Sequence, residues 1–271
     1  NAQYVEFLNV VAGTDTYGLY NANMGVLFGG IARSGSPGSY TYSAIAGREN
    51  KPVNDVSFYD ALRFTNWLHN GQGSADTETG AYTITQEGIA ANAITRNADA
   101  TIFLTSEDEW YKAAYFNGAG YFDYPAGTDT QTSCASPGAT ANTANCGSAP
   151  GYLTDVGSYT GSASPNGPFD QGGNLEEWTE AIIGSNRGAR GAAFGRVHPF
   201  LGPYLAAWSR NAFDPTHESI KVGFRVAMIP EPSTALLLAV RLAGLTAAGR
   251  RRSHYEKTMP PGKLEVPTRH A

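Results

Sequence analysis

The sequence predicts a globular α+β domain in which short strands and irregular loops outnumber helices. The chain has 271 residues, of which 41% are hydrophobic, enough for a core in one large domain or two small ones. Glycine (32 residues), proline (15) and aromatic residues (11%) are abundant while charged residues reach only 16%, a composition typical of loops packed around aromatic side chains. Helix signals are confined to three segments, so long helices should not dominate.

The first helix is predicted over residues 2–11, where apolar residues recur at helical spacing. The second is predicted over residues 57–70. Ser57 can accept a hydrogen bond from the first turn of this helix, and Gly71 can adopt the backbone conformation that ends it.

The third helix is predicted from Ser106 to about Phe116, with Gly118 stopping it. Ser106 and Glu109 have the spacing of a capping box, in which each side chain bonds the backbone N–H of the other residue. The three acidic residues 107–109 lie at the positive end of the helix dipole. Capping and the helix dipole explain these acidic residues better than a role as paired catalytic carboxylates would.

Beyond the third helix the chain turns to short extended segments among glycines. In residues 221–227, Val222, Phe224 and Val226 alternate with small or polar residues, which predicts a half-buried strand. The domain should close near residue 229. The start of the chain has no basic segment followed by an apolar stretch, and we expect the native chain to extend beyond Asn1.

The charge pattern does not favour nucleic acid as a partner. The net charge is -5, the isoelectric point is about 5.5, and no stripe of Lys and Arg occurs before residue 250. Nor does the chain contain 18 consecutive apolar residues, so nothing demands a membrane-spanning helix. The histidines lack the spacing of metal ligands. They are His69, His198, His217, His254 and His270.

Five segments fall in the order and approximate spacing of a known family, and they span nearly all of residues 1–227. Four of them are residues 1–8, 51–67, 104–110 and 166–178. The fifth consists of two short motifs, Arg190-Gly191 and Gly223-Phe224-Arg225. On these segments the chain resembles the formylglycine-generating enzyme, or sulfatase-modifying factor, family. The resemblance implies a variant of the C-type lectin fold with little regular secondary structure, in which a few helices surround short antiparallel strands.

One departure from the family concerns its chemistry. In the family's enzymes two cysteines follow the Arg-Gly motif, bind copper(I) and activate oxygen to oxidise a substrate cysteine. The matching positions here are about Arg196 and Leu201, and the sequence has no cysteine after Cys146. Copper(I) selects soft thiolate ligands, which neither side chain supplies. No copper is therefore expected, and the family's oxidase activity is not expected either.

Calcium is the other metal that the resemblance implies. It places calcium ligands at the side chains of Asp170 and Glu177 and at the backbone carbonyls of Gly173 and Leu175, with a further site through Asn145. Oxygen ligands of this kind suit a hard cation, and a glycine-rich turn lets several carbonyls converge. The alternative is that Asp170 and Glu177 cap turns and are solvated at the surface.

Residues 195–220 form the predicted ligand-binding segment, because they combine aromatic and arginine side chains without helical or strand periodicity. The resemblance also places this segment on the ligand-facing surface. The candidate binding residues are Arg196, His198, Phe200, Tyr204, Trp208 and Arg210. The alternative is that some of the aromatic residues, Phe200 and Trp208 above all, fill the core.

Cys134 and Cys146 lie in a Gly-, Ser-, Ala- and Asn-rich stretch without zinc-ligand spacing. A local disulfide is the first interpretation, and two free thiols are the alternative. In an oxidising compartment, such a bridge would stabilise the fold by roughly 3 kcal/mol. We expect the cysteines on a surface loop, away from the ligand-binding segment.

The C-terminal part resembles a PEP-CTERM sorting signal over residues 230–252. It comprises the Pro-Glu-Pro motif that starts at Pro230, an apolar run over residues 235–249 and an arginine cluster over residues 250–252. The resemblance implies export to the cell surface or matrix of a Gram-negative bacterium, processing by an exosortase, and only transient membrane contact. The alternative is a disordered amphipathic tail, as predicted for residues 253–271.

The first functional hypothesis is an exported, non-catalytic surface or extracellular-matrix protein. Its calcium-stabilised, lectin-like fold would bind a polysaccharide or a protein. The alternative is an oxidoreductase of the formylglycine-generating or non-haem iron type that acts on protein or small-molecule thiols.

Overall fold

A computed structural model describes residues 1–195 and 202–230, and these contain four short helices and ten short strands. The helices are α1 (Ala2–Val11), α2 (Phe58–His69), α3 (Gln86–Ala90) and α4 (Glu107–Tyr115), with 3₁₀ turns at Ala22–Gly25 and Gly202–Leu205. The strands are β1 (Ile31–Ser34), β2 (Thr41–Ala44), β3 (Ile102–Leu104), β4 (Ser133–Cys134), β5 (Thr143–Ala144), β6 (Glu176–Ile183), β7 (Asn186–Arg190), β8 (Asn211–Phe213), β9 (Val222–Gly223) and β10 (Val226–Met228). The predicted α+β class is confirmed.

The largest sheet of the described residues has four strands in the order β8-β7-β6-β9. Strands β6 and β7 pair antiparallel, as do β7 and β8, whereas β9 joins β6 in parallel. Two further pairs, β1 with β2 and β3 with β10, are antiparallel, and β4 pairs with β5 in parallel. Glu177 in β6 lies opposite Arg190 in β7 in the register of this sheet.

The three predicted helices are confirmed as α1, α2 and α4, and their starts are explained by local capping. Ser57 and Asp60 form a capping box at α2, and Ser106 and Glu109 form one at α4. Helix α3 was not predicted. Its N-cap is Thr85, whose hydroxyl accepts from the backbone N–H three residues later, and none of its residues is buried.

The core is largely aromatic, as the composition predicts. Around α1 and α2, Tyr4, Phe7, Phe64 and Trp67 stack on one another. Trp178 in β6 of the four-stranded sheet is fully buried, and its indole N–H donates to the carbonyl of Val56 at 3.0 Å. The indole thus ties the sheet to the start of α2.

The prediction of a single strand over residues 221–227 is wrong. The structure divides it into β9, which pairs with β6, and β10, which pairs with β3, and the residues between them are not in a strand. Val226 is exposed rather than half-buried. The reason is that the two halves pair with strands of different sheets, and Arg225 between them forms an ion pair with Glu177.

The chain separates into a unit of Asn1–Met228 and a unit of Ile229–Ala271. Apart from Ile229 and Pro230, the second unit lies outside the described residues, and so do most of the predicted sorting signal and all of the predicted tail. Across residues 1–195 and 202–230, no helix is both long and apolar enough to span a membrane.

Candidate ligand and metal site

Glu177 in β6 is held in a buried ion pair. Both of its carboxylate oxygens accept from the guanidinium of Arg225, and one also accepts from the indole N–H of Trp110, with N···O 2.7 Å. Trp110 and Glu177 are both buried. The alternative interpretation of Glu177 as a solvated surface carboxylate is therefore wrong.

Asp170 lies beside this ion pair in the glycine-rich turn that leads into β6. Its carboxylate accepts from the backbone N–H of Gly157 at 2.6 Å, and its carbonyl accepts from Arg225 at 3.1 Å. Burial raises the pKa of the Asp170 carboxyl; the Gly157 hydrogen bond lowers this pKa and the nearby Glu177 raises it. Two carboxylates thus share the charge of one guanidinium.

The two carboxylates line a cleft of about 310 Å³, whose wall also includes Leu175. Gly173 forms the floor of the turn with a φ of 84°, and a Cβ there would lie 2.5 Å from the carbonyl oxygen of Asn145. Only glycine fits this close approach. Carboxylate and carbonyl oxygens are the ligands that calcium prefers. Both oxygens of Glu177 accept from Arg225 or Trp110, so calcium would have to displace Arg225 to bind this carboxylate. Calcium binding itself stays a prediction.

Asn145 does not line that cleft, but it reaches the turn through Asn174. Its amide N–H groups donate to the carbonyl of Tyr152 at 2.9 Å and to the side-chain oxygen of Asn174 at 3.0 Å. Its own side-chain oxygen is buried and has no hydrogen-bond partner. An unpaired buried acceptor suits a cation or a bound water, as predicted for the further site.

No group of three or more His, Cys, Asp or Glu side chains converges on a possible metal position in the part of the chain that the structure describes. His69 instead lies against Thr101, and His217 stacks on Phe213. The predicted calcium site therefore depends on backbone carbonyls as well as on carboxylates.

Cys134 and Cys146 are joined by a disulfide with Cα atoms 4.9 Å apart. The expectation that they lie away from residues 195–220 is wrong, because the bridge packs in one cluster with Ala192, Leu205 and Tyr204. The reason is nonlocal. The chain next to Cys146 bonds the glycine-rich turn, where the N–H of Asn174 donates to the Asn145 carbonyl, and this places the bridge under the ligand-binding segment.

Trp208 is exposed near the middle of the predicted ligand-binding segment. The other three tryptophans are buried, whereas 71% of Trp208 is exposed. The alternative that Trp208 fills the core is therefore wrong. We call residues 206–209 the Trp208 turn.

The backbone of the Trp208 turn is fixed by a buried arginine. Arg190 donates to the carbonyls of Ala207 and Ser209, on either side of Trp208, at 2.8 and 2.7 Å. The same guanidinium pairs with Glu107 in the first turn of α4. The Ala207 N–H in turn donates to the carbonyl of Asp123 at 2.8 Å. The tryptophan is thus presented to solvent from a rigid support.

Further aromatic rings surround the support. Ala207 packs in a cluster with Trp110, Tyr115 and Tyr111, and the Tyr111 ring lies 5.1 Å from the exposed ring of Tyr121. The Arg190 guanidinium lies over Tyr111, 5.3 Å from the ring centre. Of these rings Trp110 and Tyr115 are buried, Tyr111 is half-buried and Tyr121 is exposed.

Arg210 lies on the same surface, and its side chain is 53% exposed. It contacts both oxygens of Glu107, at 3.3 and 3.4 Å. Tyr204 is half-buried in the disulfide cluster instead. The remaining predicted binding residues, Arg196, His198 and Phe200, lie outside the described residues, as does Leu201.

Four residues of this surface were not predicted as part of it: Arg190, Glu107, Tyr111 and Tyr121. Arg190 belongs to a motif that was recognised, but its acceptors are backbone carbonyls, which leave no trace in a sequence. Glu107 was assigned to the helix dipole together with its two neighbours. Its contacts with two arginines depend on the tertiary fold.

Residues 1–229 match the sulfatase-modifying factor enzyme 1-like domain family. The chain belongs to this family. No curated protein sequence matches this sulfatase-modifying factor domain. Among solved structures, it is similar to CarF, with 21% identity, a TM-score of 0.51, and coverage of 84% of this chain and 83% of that chain. This likeness shows the fold alone.

Two other solved structures are similar to the domain. Treponema denticola variable protein 1 has 21% identity and a TM-score of 0.49, over 69% of this chain and 75% of that one. PvdO from Pseudomonas aeruginosa has 20% identity and a TM-score of 0.45, over 73% of this chain and 68% of that one.

Proposed function

We propose that the chain is an exported, non-catalytic member of its family that binds a polysaccharide or protein ligand on the surface around Trp208 and Arg210. One observation carries this proposal. A single tryptophan stands in solvent while a buried arginine binds the carbonyls on both sides of it. Exposed aromatic and arginine side chains on a preformed support are typical of binding hot spots.

The rigidity of the turn is what separates this tryptophan from an incidental exposed residue. A large apolar ring gains free energy when it leaves water, so an unconstrained turn would fold Trp208 against the protein. The hydrogen bonds to Ala207 and Ser209 hold the backbone in place. A ligand therefore meets a ring that needs little ordering on binding.

Trp208→Ala should lower the affinity for the ligand by at least roughly 30-fold, as truncation of a hot-spot residue does. The measurement is retention of the purified chain on a panel of immobilised polysaccharides and extracellular proteins. Ile182→Ala is the matched control, because Ile182 is half exposed in β6 and makes none of the contacts of the Trp208 turn. The proposal fails if both variants bind every panel member as the unmodified chain does.

We also propose that calcium fixes the turn between Asp170 and Glu177. A ligand that binds only the folded state stabilises it by about 2.7 kcal/mol at 100 times its Kd, so millimolar calcium should raise Tm. Asp170→Asn keeps a side-chain oxygen for the Gly157 N–H but removes a charge, and it should shrink the calcium-dependent rise. Thermal unfolding in calcium and in excess chelator tests this. Equal Tm values for the unmodified chain in calcium and in excess chelator would contradict calcium binding.

The enzyme alternative makes a different prediction about metal content. An oxidase or iron-dependent enzyme holds copper or iron at stoichiometric levels, whereas a binding protein holds calcium alone. Elemental analysis of the purified chain separates the two. Export and exosortase processing rest on residues 230–252, which resemble the sorting signal, and a change in the mass of the chain after expression in a host with an exosortase would support them.

A further inference from the structure

We propose that the ligand is an acidic polysaccharide, whose carboxylate groups bind Arg210 while its sugar rings stack on Trp208. This inference rests on the proposed function and narrows its ligand class. It is carried by the weak pairing of Arg210 with Glu107 and by the exposure of Trp208 two residues before Arg210.

Glu107 stands between two guanidinium groups. Arg190 is buried and makes the closer contacts, through two of its nitrogens. Arg210 reaches Glu107 through one nitrogen only, at 3.3 and 3.4 Å, and half of its side chain faces solvent. One carboxylate cannot neutralise two arginines. Part of the Arg210 guanidinium therefore stays available to an anionic group in solvent.

The free side of Arg210 suits a carboxylate. A guanidinium has five N–H donors, and two of them in parallel match the two oxygens of a carboxylate. An anionic group on the ligand would complete the charge balance at this position.

The aromatic groups favour sugar rings over a protein surface. The exposed rings are Trp208 and Tyr121, with the half-buried Tyr111 against Tyr121. An aromatic side chain buries at most about 250 Å², so two rings supply well under the roughly 800 Å² per partner of a stable protein interface. A sugar ring presents a face of C–H groups that covers one aromatic ring, with hydroxyls at its rim for polar neighbours. Separate aromatic side chains next to charged groups therefore suit a chain of sugar rings.

The test compares polygalacturonate with its methyl ester, two polymers of the same sugar that differ in charge. We expect the unmodified chain to bind polygalacturonate at least 10-fold more tightly than the ester in calorimetric titrations, with the difference shrinking as salt is raised. Arg210→Gln should abolish the preference for the charged polymer over the ester. Arg33→Gln is the control, because it removes the same charge from an arginine that pairs with Asp15 instead.

The outcomes separate this inference from the proposed function. Equal affinity for the two polymers, or a preference that Arg210→Gln leaves intact, overturns the acidic polysaccharide while Trp208→Ala still weakens binding. Failure to bind either polymer together with binding of an acidic protein overturns it as well. If Trp208→Ala changes no binding at all, the proposed function falls with it. Unchanged Tm of the variants shows that they fold.

Discussion

Glu177→Gln is expected to lower the free energy of unfolding by about 3 to 5 kcal/mol, the range for breaking a buried ion pair by removing one partner. The substitution keeps the shape of the side chain but removes the carboxylate that pairs with the half-buried guanidinium of Arg225. It also weakens the acceptor of the Trp110 indole N–H. Urea unfolding in excess chelator measures the effect without any contribution from a lost calcium ligand.

Asp60→Asn is the matched control for this loss. Asp60 is also buried and acidic, but its carboxylate lies 3.8 Å from its arginine, Arg63, and accepts from Ser57 in a helix cap. We expect it to lose about 1 kcal/mol, as removal of a cap does. A loss below about 1 kcal/mol for Glu177→Gln would show that the ion pair contributes little.

Arg190→Lys is expected to have the largest effect on ligand binding without touching the exposed surface. Lysine can pair with Glu107, but its ammonium is a point charge and cannot also hold the two carbonyls beside Trp208. The unfilled carbonyls should lower stability by about 1 to 3 kcal/mol. Ligand affinity should fall to near the level of Trp208→Ala, although the tryptophan is still present.

Arg96→Lys is the control for Arg190→Lys. Arg96 also links α4 to β6, through Glu109 and Glu180, and makes no contact with the Trp208 turn. It should lower stability and leave binding unchanged. Retention of full affinity by Arg190→Lys would contradict the view that the arginine holds the turn for binding.

The sequence predicts the elements whose causes are local. Helices α2 and α4 begin where a serine and an acidic residue three positions later cap each other, so their ends are readable from a few residues. The break between β9 and β10 is not readable in this way. It follows from the pairing of β9 with β6 and of β10 with β3, two strands that are distant from them in the sequence.

The candidate site likewise contains residues that the sequence predicts and residues that it does not. Trp208 and Arg210 were predicted from residue type and context, because aromatic and arginine side chains in an irregular segment favour binding. Arg190 was not, because its acceptors are backbone carbonyls. The position of the disulfide under this surface was predicted wrongly, since it depends on how the chain around Asn145 pairs with the turn at Asn174.

The most direct test of the central claim is acrylamide quenching of tryptophan fluorescence, with and without a saturating amount of the best-retained panel ligand. Because Trp208 alone is exposed among the four tryptophans, quenching of the free chain should report on this residue. The account predicts that ligand protects Trp208 from acrylamide, and that the protection is absent in Trp208→Ala. A ligand that binds fully while Trp208 stays as accessible as in the free chain would contradict it.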